Sequence, residues 1–188
     1  MLSEEEIQLL QINIAEFDDT KAFGQLYVAY MHRLLQLAHS IIKNKELAEE
    51  IVSDVFVRIW QRRKNLKKVD NLRLYLYVST KNTALNYLSR HFRKDTISLD
   101  EMSINMPIAG YNPEELMITS EAVRRIAVAI QQLPPRCKLV FKLVKEDRLK
   151  YNEIAQILNI SVKTIDAQLA IALKKISSAV SFELKHSR

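Results

Sequence analysis

Glycine is nearly missing from this chain: 188 residues hold only Gly24 and Gly110, together with four prolines. Average glycine usage is about 7%. Two-residue hairpins and phosphate-cradling loops both rely on residues that tolerate positive φ, so a chain this poor in glycine has little to build them from. A β-sandwich, a Rossmann domain and a P-loop domain are set aside on that ground, which leaves helix. Apolar residues at 48% supply enough material for cores, and the length accommodates one large domain or two small ones. One cysteine, Cys137, excludes an intramolecular disulfide framework and a zinc ribbon, and fits a reducing compartment. Glu4, Glu5 and Glu6 are the reverse of a signal peptide's basic start. The longest apolar run, Leu26 to Met31, is six residues, far short of a membrane span. The expected localisation is cytoplasmic.

The net charge is +6, and its distribution matters more than its sum. Residues 1–57 carry a net −6, residues 58–94 a net +10, residues 95–119 five acids and no cation, and residues 120–188 a net +7. Two basic blocks flanking an acidic stretch are the footprint expected of a polyanion binder, although a single such cluster is more often just a solvated face. The acidic stretch also contains Pro107, Gly110 and Pro113, and helical periodicity lapses there. It reads as a flexible tether between two helical domains.

Helical spacing dominates elsewhere. Asp18, Asp19 or Thr20 caps a helix whose apolar face carries Phe23, Leu26, Tyr27, Tyr30, Leu34 and Leu37. A second helix spans about Lys45–Arg63, with Leu47, Ile51, Val55 and Ile59 at four-residue steps. Val52 and Phe56 widen its stripe toward Trp60, a residue that by itself reads first as core. Glu46, Glu49, Glu50 and Asp54 lie in its first half, where the helix dipole favours anions. A break over Asn65–Asn71 precedes a long helix, capped by Asp70 or Asn71, with Leu74, Val78, Leu85 and Leu88 as its apolar stripe. Lys81, Asn82, Asn86 and Arg90 recur on its other surface, with Tyr75, Tyr77 and Tyr87 interleaved. Cations with aromatics and amides suit single-stranded nucleic acid, though most of these aromatics are equally readable as core.

The C-terminal part reads as four helices, at about 120–133, 135–146, 150–158 and 161–180. The last pair carries the sharpest local pattern. Ile154 and Ala155 face inward, Asn159 stands at the turn, Ile160 and Ile165 face inward again, and Leu169 continues the stripe. The turn calls for left-handed φ, which asparagine tolerates next best after glycine, and Ser161 caps the following helix. This is the pattern of a helix-turn-helix, although a plain helical hairpin shares much of it. The predicted fold class is all-α: two small helical domains, residues 1–94 and 120–188, joined by a flexible acidic linker at 95–119, with a helix-turn-helix in the second.

Three stretches together resemble an extracytoplasmic-function (ECF) sigma factor of bacterial RNA polymerase, in the sigma-70 family: LAEEIVSDVFVRIW from Leu47 to Trp60, NLRLYLYVSTKNTALNYLSR from Asn71 to Arg90, and Leu133 to Ile176, notably YNEIAQILNISVKTIDAQLAIALKKI. The resemblance implies sigma domain two over 1–94, the linker, and sigma domain four over 120–188. It implies that Glu46, Glu49, Glu50, Asp54 and Trp60 meet core polymerase at the β′ coiled coil, the β subunit being the other core partner. It further implies that the Leu66–Asn71 loop, through Lys67, Lys68, Asp70 and Asn71, captures an extruded base of the −10 element, and that Lys81, Asn82, Asn86 and Arg90 follow the same DNA. Unstacking such a base costs a few kcal/mol, which pocket contacts must offset. Ser161, Lys163, Thr164, Ala167 and Gln168 would read the −35 element, with Lys174 and Lys175 nearer phosphates. An anti-sigma factor is the further partner implied.

The chain departs from the family at Val78, where many members have arginine, at Asp166-Ala167-Gln168, which lacks a common cation, and at Arg148, where glycine is usual. A stand-alone helix-turn-helix regulator is the alternative reading, and the basic block at 58–94 argues against it. An enzyme is not expected: His32, His39, His91 and His186 form no metal-binding motif, and no P-loop lysine motif occurs. No cofactor, metal or small-molecule substrate is expected.

Overall fold

A computed structural model of the chain describes residues 2–91 and 121–186. Among these residues are eight α-helices, one 3-10 segment and no strand. The chain divides into two compact units, and the division falls between the fourth and fifth helices. The linker expected at 95–119 lies outside the described residues.

The first unit consists of α1 (Glu4–Phe17), α2 (Thr20–Ile42), α3 (Lys45–Gln61), a 3-10 segment (Arg63–Lys68) and α4 (Leu72–His91). Helix α2 is the centre, packed on α1, α3 and α4. Its stripe of Leu26, Tyr30, Leu34 and Leu37 is buried as the spacing predicts, while Phe23 and Tyr27 are half-buried. Those two rings pack edge-on against Phe56 of α3, with centroids 6.0 and 4.8 Å away. Asp19 caps α2 by accepting from the Lys21 and Ala22 N–H groups at 2.8 and 3.1 Å. Asn44 does the same for α3 at Leu47 (2.8 Å), and Asn71 for α4 at Leu74 (2.9 Å).

Two expectations need correction. Helix α1 was not anticipated, because Glu4–Glu6 read only as an acidic terminus. They form its first turn, under a reciprocal cap in which Ser3 Oγ accepts from the Glu6 N–H at 3.1 Å and the Glu6 carboxylate from the Ser3 N–H at 2.6 Å. The second correction concerns α4. Its core stripe is Leu72, Leu76, Tyr77, Thr80, Ala84 and Leu88, whereas Leu85 is exposed and Leu74 and Val78 are half-buried. Two apolar stripes compete on this helix. Packing on α1, α2 and α3 selects the one that includes Thr80, whose hydroxyl donates to the Leu76 carbonyl at 2.9 Å and so needs no water.

The second unit consists of α5 (Glu121–Gln131), α6 (Pro135–Lys145), α7 (Tyr151–Leu158) and α8 (Val162–His186). Pro135 opens α6, where its missing N–H costs nothing. Ile130, Leu133, Cys137 and Ala172 make one core patch, with Ile126, Phe141 and Ile176 packed against it. Leu143, Ile154, Ile157 and Ile165 are each at most 1% exposed and hold α6, α7 and α8 together.

Scarce glycine has a visible consequence. Asp18, Lys43, Arg148 and Asn159 all have φ between 51° and 58°. Asp18, Lys43 and Asn159 end α1, α2 and α7. Gly24 takes up none of this work; it sits inside α2.

Candidate nucleic-acid interface

Helix α7 is only eight residues long and is fixed at both ends. At its start, the Glu153 carboxylate accepts from the Lys150 N–H at 2.7 Å, and Arg148 makes the left-handed turn that leads in. At its end Asn159 turns at φ 55° and ψ 48°, as the sequence predicts. Ser161 then caps α8, its Oγ accepting from the Thr164 N–H at 3.0 Å. With Ile154 and Ile165 both fully buried, the outer side of α8's first turns faces solvent.

On that outer side Ser161, Lys163, Ala167, Lys174 and Lys175 are exposed. Thr164 and Gln168 are only half-buried and already engaged. The Thr164 hydroxyl lies 2.8 Å from Ser161 Oγ, and the Gln168 Oε1 accepts from the Cys137 thiol at 2.9 Å. Burial raises the pKa of that thiol, which keeps it protonated and able to donate. Lys163 and Ala167 are therefore the members of the expected set that present themselves without rearrangement.

In the first unit the basic loop lies between α3 and α4. Lys67, Lys68, Asp70 and Asn71 are exposed, and so are Asn82, Asn86 and Arg90 farther along α4. Lys81 is half-buried, and desolvation lowers its pKa. Of the interleaved aromatics, Tyr77 is core, Tyr87 half-buried and Tyr75 38% exposed. Only Tyr75 offers a ring face broadly to solvent.

Helix α1 borders this loop, a contact absent from the sequence reading. Lys67 pairs with Glu16 at 3.1 Å, Lys64 with Asp18 at 3.1 Å, and Arg63 with Asp18. The hydrogen bonds from Arg63 and then Lys64 hold the Asp18 carboxyl below its usual pKa. A cavity of about 360 Å³ opens between α1 and the loop, with Gln8, Gln11, Ile12, Lys67, Val69 and Asp70 in its walls. The Gln11–Ala15 spacing on α1, in phase with Ile7 and Ile14, was the signal that could have revealed it.

Helix α3 divides cleanly. Ile51, Val55, Phe56 and Ile59 are buried, whereas Glu46, Glu49, Glu50 and Asp54 are all exposed, with Val57 (53% exposed) beside them. Trp60 is half-buried between Phe23, centroids 5.0 Å apart, and Arg63, 4.6 Å from the ring centre. It is partly core and partly an accessible edge. Among the described residues no group of three or more His, Cys, Asp or Glu side chains is placed to hold a metal. No described helix is long and apolar enough to cross a membrane.

Two helical units, one with a basic loop and helix, the other with a capped helix-turn-helix, define a DNA-binding protein of two-part helical design. Comparison with known proteins narrows the class. The Sigma-70 region 2 family model matches residues 26–94, and the Sigma-70, region 4 model matches residues 123–176. The chain is 25% identical over 186 residues to the ECF RNA polymerase sigma-E factor of Escherichia coli (strain K12), covering 95% of this chain and 97% of that one. It is also 25% identical over 187 residues to the RNA polymerase sigma-H factor of Pseudomonas aeruginosa, covering 96% of each. In fold it is similar to the sigma factor RpoE solved with the anti-sigma factor NepR from Bartonella quintana (TM-score 0.55, 19% identity, 90% of this chain and 100% of that one). A second likeness is to CnrH, solved with the cytosolic domain of CnrY (TM-score 0.54, 21% identity, 94% and 97%). The chain belongs to the sigma-70 family, as a sigma factor of the ECF type.

Proposed function

We propose that this chain binds core RNA polymerase and directs it to promoters, supporting recognition, local melting and initiation of transcription. The observation that carries this reading is the ordered match of region 2 and region 4 onto two helical units, the second with its helix-turn-helix. Residues 1–94 form the unit that meets core and the −10 element, 95–119 the linker, and 120–188 the unit that meets the −35 element. The chain acts in the cytoplasm by binding and is assigned no catalytic step. An anti-sigma factor is its regulatory partner.

Core binding falls to the outer face of α3: Glu46, Glu49, Glu50 and Asp54, with Trp60 at its end and the exposed Val57 beside them. Co-elution of the purified chain with bacterial core polymerase on gel filtration tests the function. Independent binding of duplex DNA without association with core would replace it with the stand-alone regulator. Glu49→Lys with Asp54→Lys should weaken co-elution, most at low salt, where screening is least. Affinity that does not change would remove this face from the contact. Among the described residues each acid pairs with an exposed helical partner, Glu49 with Lys45 at 3.9 Å and Asp54 with Arg58 at 3.3 Å, and such pairs contribute little to folding.

The −10 element is read by Lys67, Lys68, Asp70 and Asn71 in the loop and by Lys81, Asn82, Asn86 and Arg90 on α4. The −35 element is read by Lys163 and Ala167, with Ser161, Thr164 and Gln168 shaping the approach and Lys174 and Lys175 placed for phosphates. Lys163→Ala is expected to cost about 1–3 kcal/mol at a favoured −35 site and to relax preference at one base pair. Binding that weakens equally on every upstream sequence would make Lys163 a phosphate contact instead.

A further inference from the structure

We propose that Gln11, on the inner face of α1, is a positioning residue for the DNA-reading loop, fixing the backbone of Leu66–Val69 and so the loop's base preference. The inference rests on the assignment of that loop to −10 recognition.

The loop's own restraints are short-range: Asn65 N–H donates to the Arg62 carbonyl at 2.8 Å and Val69 N–H to that of Leu66 at 2.9 Å. Arg62, Arg63, Lys64, Lys67 and Lys68 place five cations within seven residues, and like charges at such spacing repel. The segment is a six-residue 3-10 helix with no side-chain cap at its start, longer than such helices usually run. Helix α1 adds a long-range restraint. The Gln11 side-chain amide, 9% exposed, donates both of its N–H groups, to the Leu66 and Val69 carbonyls, each at 2.7 Å. One side chain thereby brackets Lys67 and Lys68.

The acids at the end of α1 support the same purpose. Glu16 and Asp18 stand where the helix dipole disfavours anions, and the last turn of α1 holds no cation. Their place is explained by the loop: Glu16 meets Lys67, and Asp18 meets Arg63 and Lys64. Helix α1 thus supplies both the countercharge and the backbone anchor. Gln11 and Val69, joined by one of these hydrogen bonds, both line the cavity between α1 and the loop. A loop ordered before DNA arrives binds without the entropy cost of ordering on contact.

Gln11→Met keeps the side chain's length and removes both donors. In holoenzyme assembled with this variant, open-complex formation is measured on promoters carrying each base in turn at the −10 positions. The preference for the favoured base is expected to fall about tenfold, the scale of one good base contact, with core affinity and −35 preference unchanged. Glu16→Gln guards against misfolding, since it removes only an exposed partner of Lys67. It should lower the same preference about two- to threefold, as expected for a partly exposed charge pair. Lys68→Ala with Asp70→Ala tests the underlying assignment. If that variant keeps its −10 base preference, the loop does not read this element and both readings fall. If it loses the preference while Gln11→Met and Glu16→Gln keep theirs, the loop assignment stands and the role of Gln11 is overturned. Equal loss of −10 and −35 preference in Gln11→Met, with Glu16→Gln unaffected, also overturns it, because Gln11 then supports only the fold.

Discussion

Lys142→Ala is expected to destabilise the second unit by about 3–5 kcal/mol, the cost of breaking a buried ion pair from one side. The Lys142 ammonium lies 2.8 Å from Glu146 and 3.7 Å from Asp147, with the lysine side chain 7% exposed and that of Asp147 1%. Alanine would leave a carboxylate buried beside the turn that launches α7. The same turn depends on backbone bonds from Asp147 to Lys142 (3.1 Å) and from Leu149 to Leu143 (3.0 Å). The loss should therefore spread to the helix-turn-helix. Trp60, the sole tryptophan, sits in the first unit, which separates the signals. In urea, circular dichroism should show an early step in which tryptophan fluorescence takes no part. Lys142→Met together with Glu146→Gln and Asp147→Leu removes all three charges and is expected to be near neutral. A single variant within 1 kcal/mol of wild type would mean that water already solvates the pair.

The second large effect concerns salt. Each phosphate neutralised on duplex DNA contributes about 0.9 to the slope of log affinity against log salt, and about 0.7 on single strands. Replacing Lys68, Lys81 and Arg90 with alanine should lower the slope of promoter binding by holoenzyme by roughly 2 to 3. Affinity should fall most at low salt. Lys67 is left out because Glu16 already occupies it at 3.1 Å. A slope that does not move would place the promoter strand away from this surface. Lys81 is the member to watch, because burial already lowers its pKa and a phosphate would raise it. If phosphate contact does so, Lys81→Ala alone should show its full effect near neutral pH and a shrinking one at alkaline pH, where the free protein's amine loses its proton before the bound one does and binding must restore it.

Much of this was legible in the residue order. Strict four-residue steps gave α3 its buried face, and Asn159 and Ser161 marked the turn and cap of the helix-turn-helix because few residues tolerate those conformations. The misses have a physical pattern. Helix α1 announces itself by a Ser3–Glu6 cap rather than by a long apolar stripe, and its buried Gln11 reads as polar surface in any periodicity count. On α4, Leu74–Val78–Leu85 and Leu72–Leu76–Leu88 are equally apolar in sequence, and only the helices packed around them choose. Gln168 has the spacing of a base reader, yet Cys137, thirty-one residues earlier, engages its carbonyl. Contacts between distant segments are what one-dimensional spacing does not carry.

The left-handed helix ends bear on how long a copy of this protein persists. Asparagine and aspartate tolerate that conformation, but Lys43 and Arg148 each give up about 1 kcal/mol to it. That is roughly a fivefold shift in the folded-to-unfolded ratio apiece. Where opening is fast, proteolysis follows the open population. A variant with glycine at these two turns is therefore expected to open less often and to resist proteolysis longer than this chain.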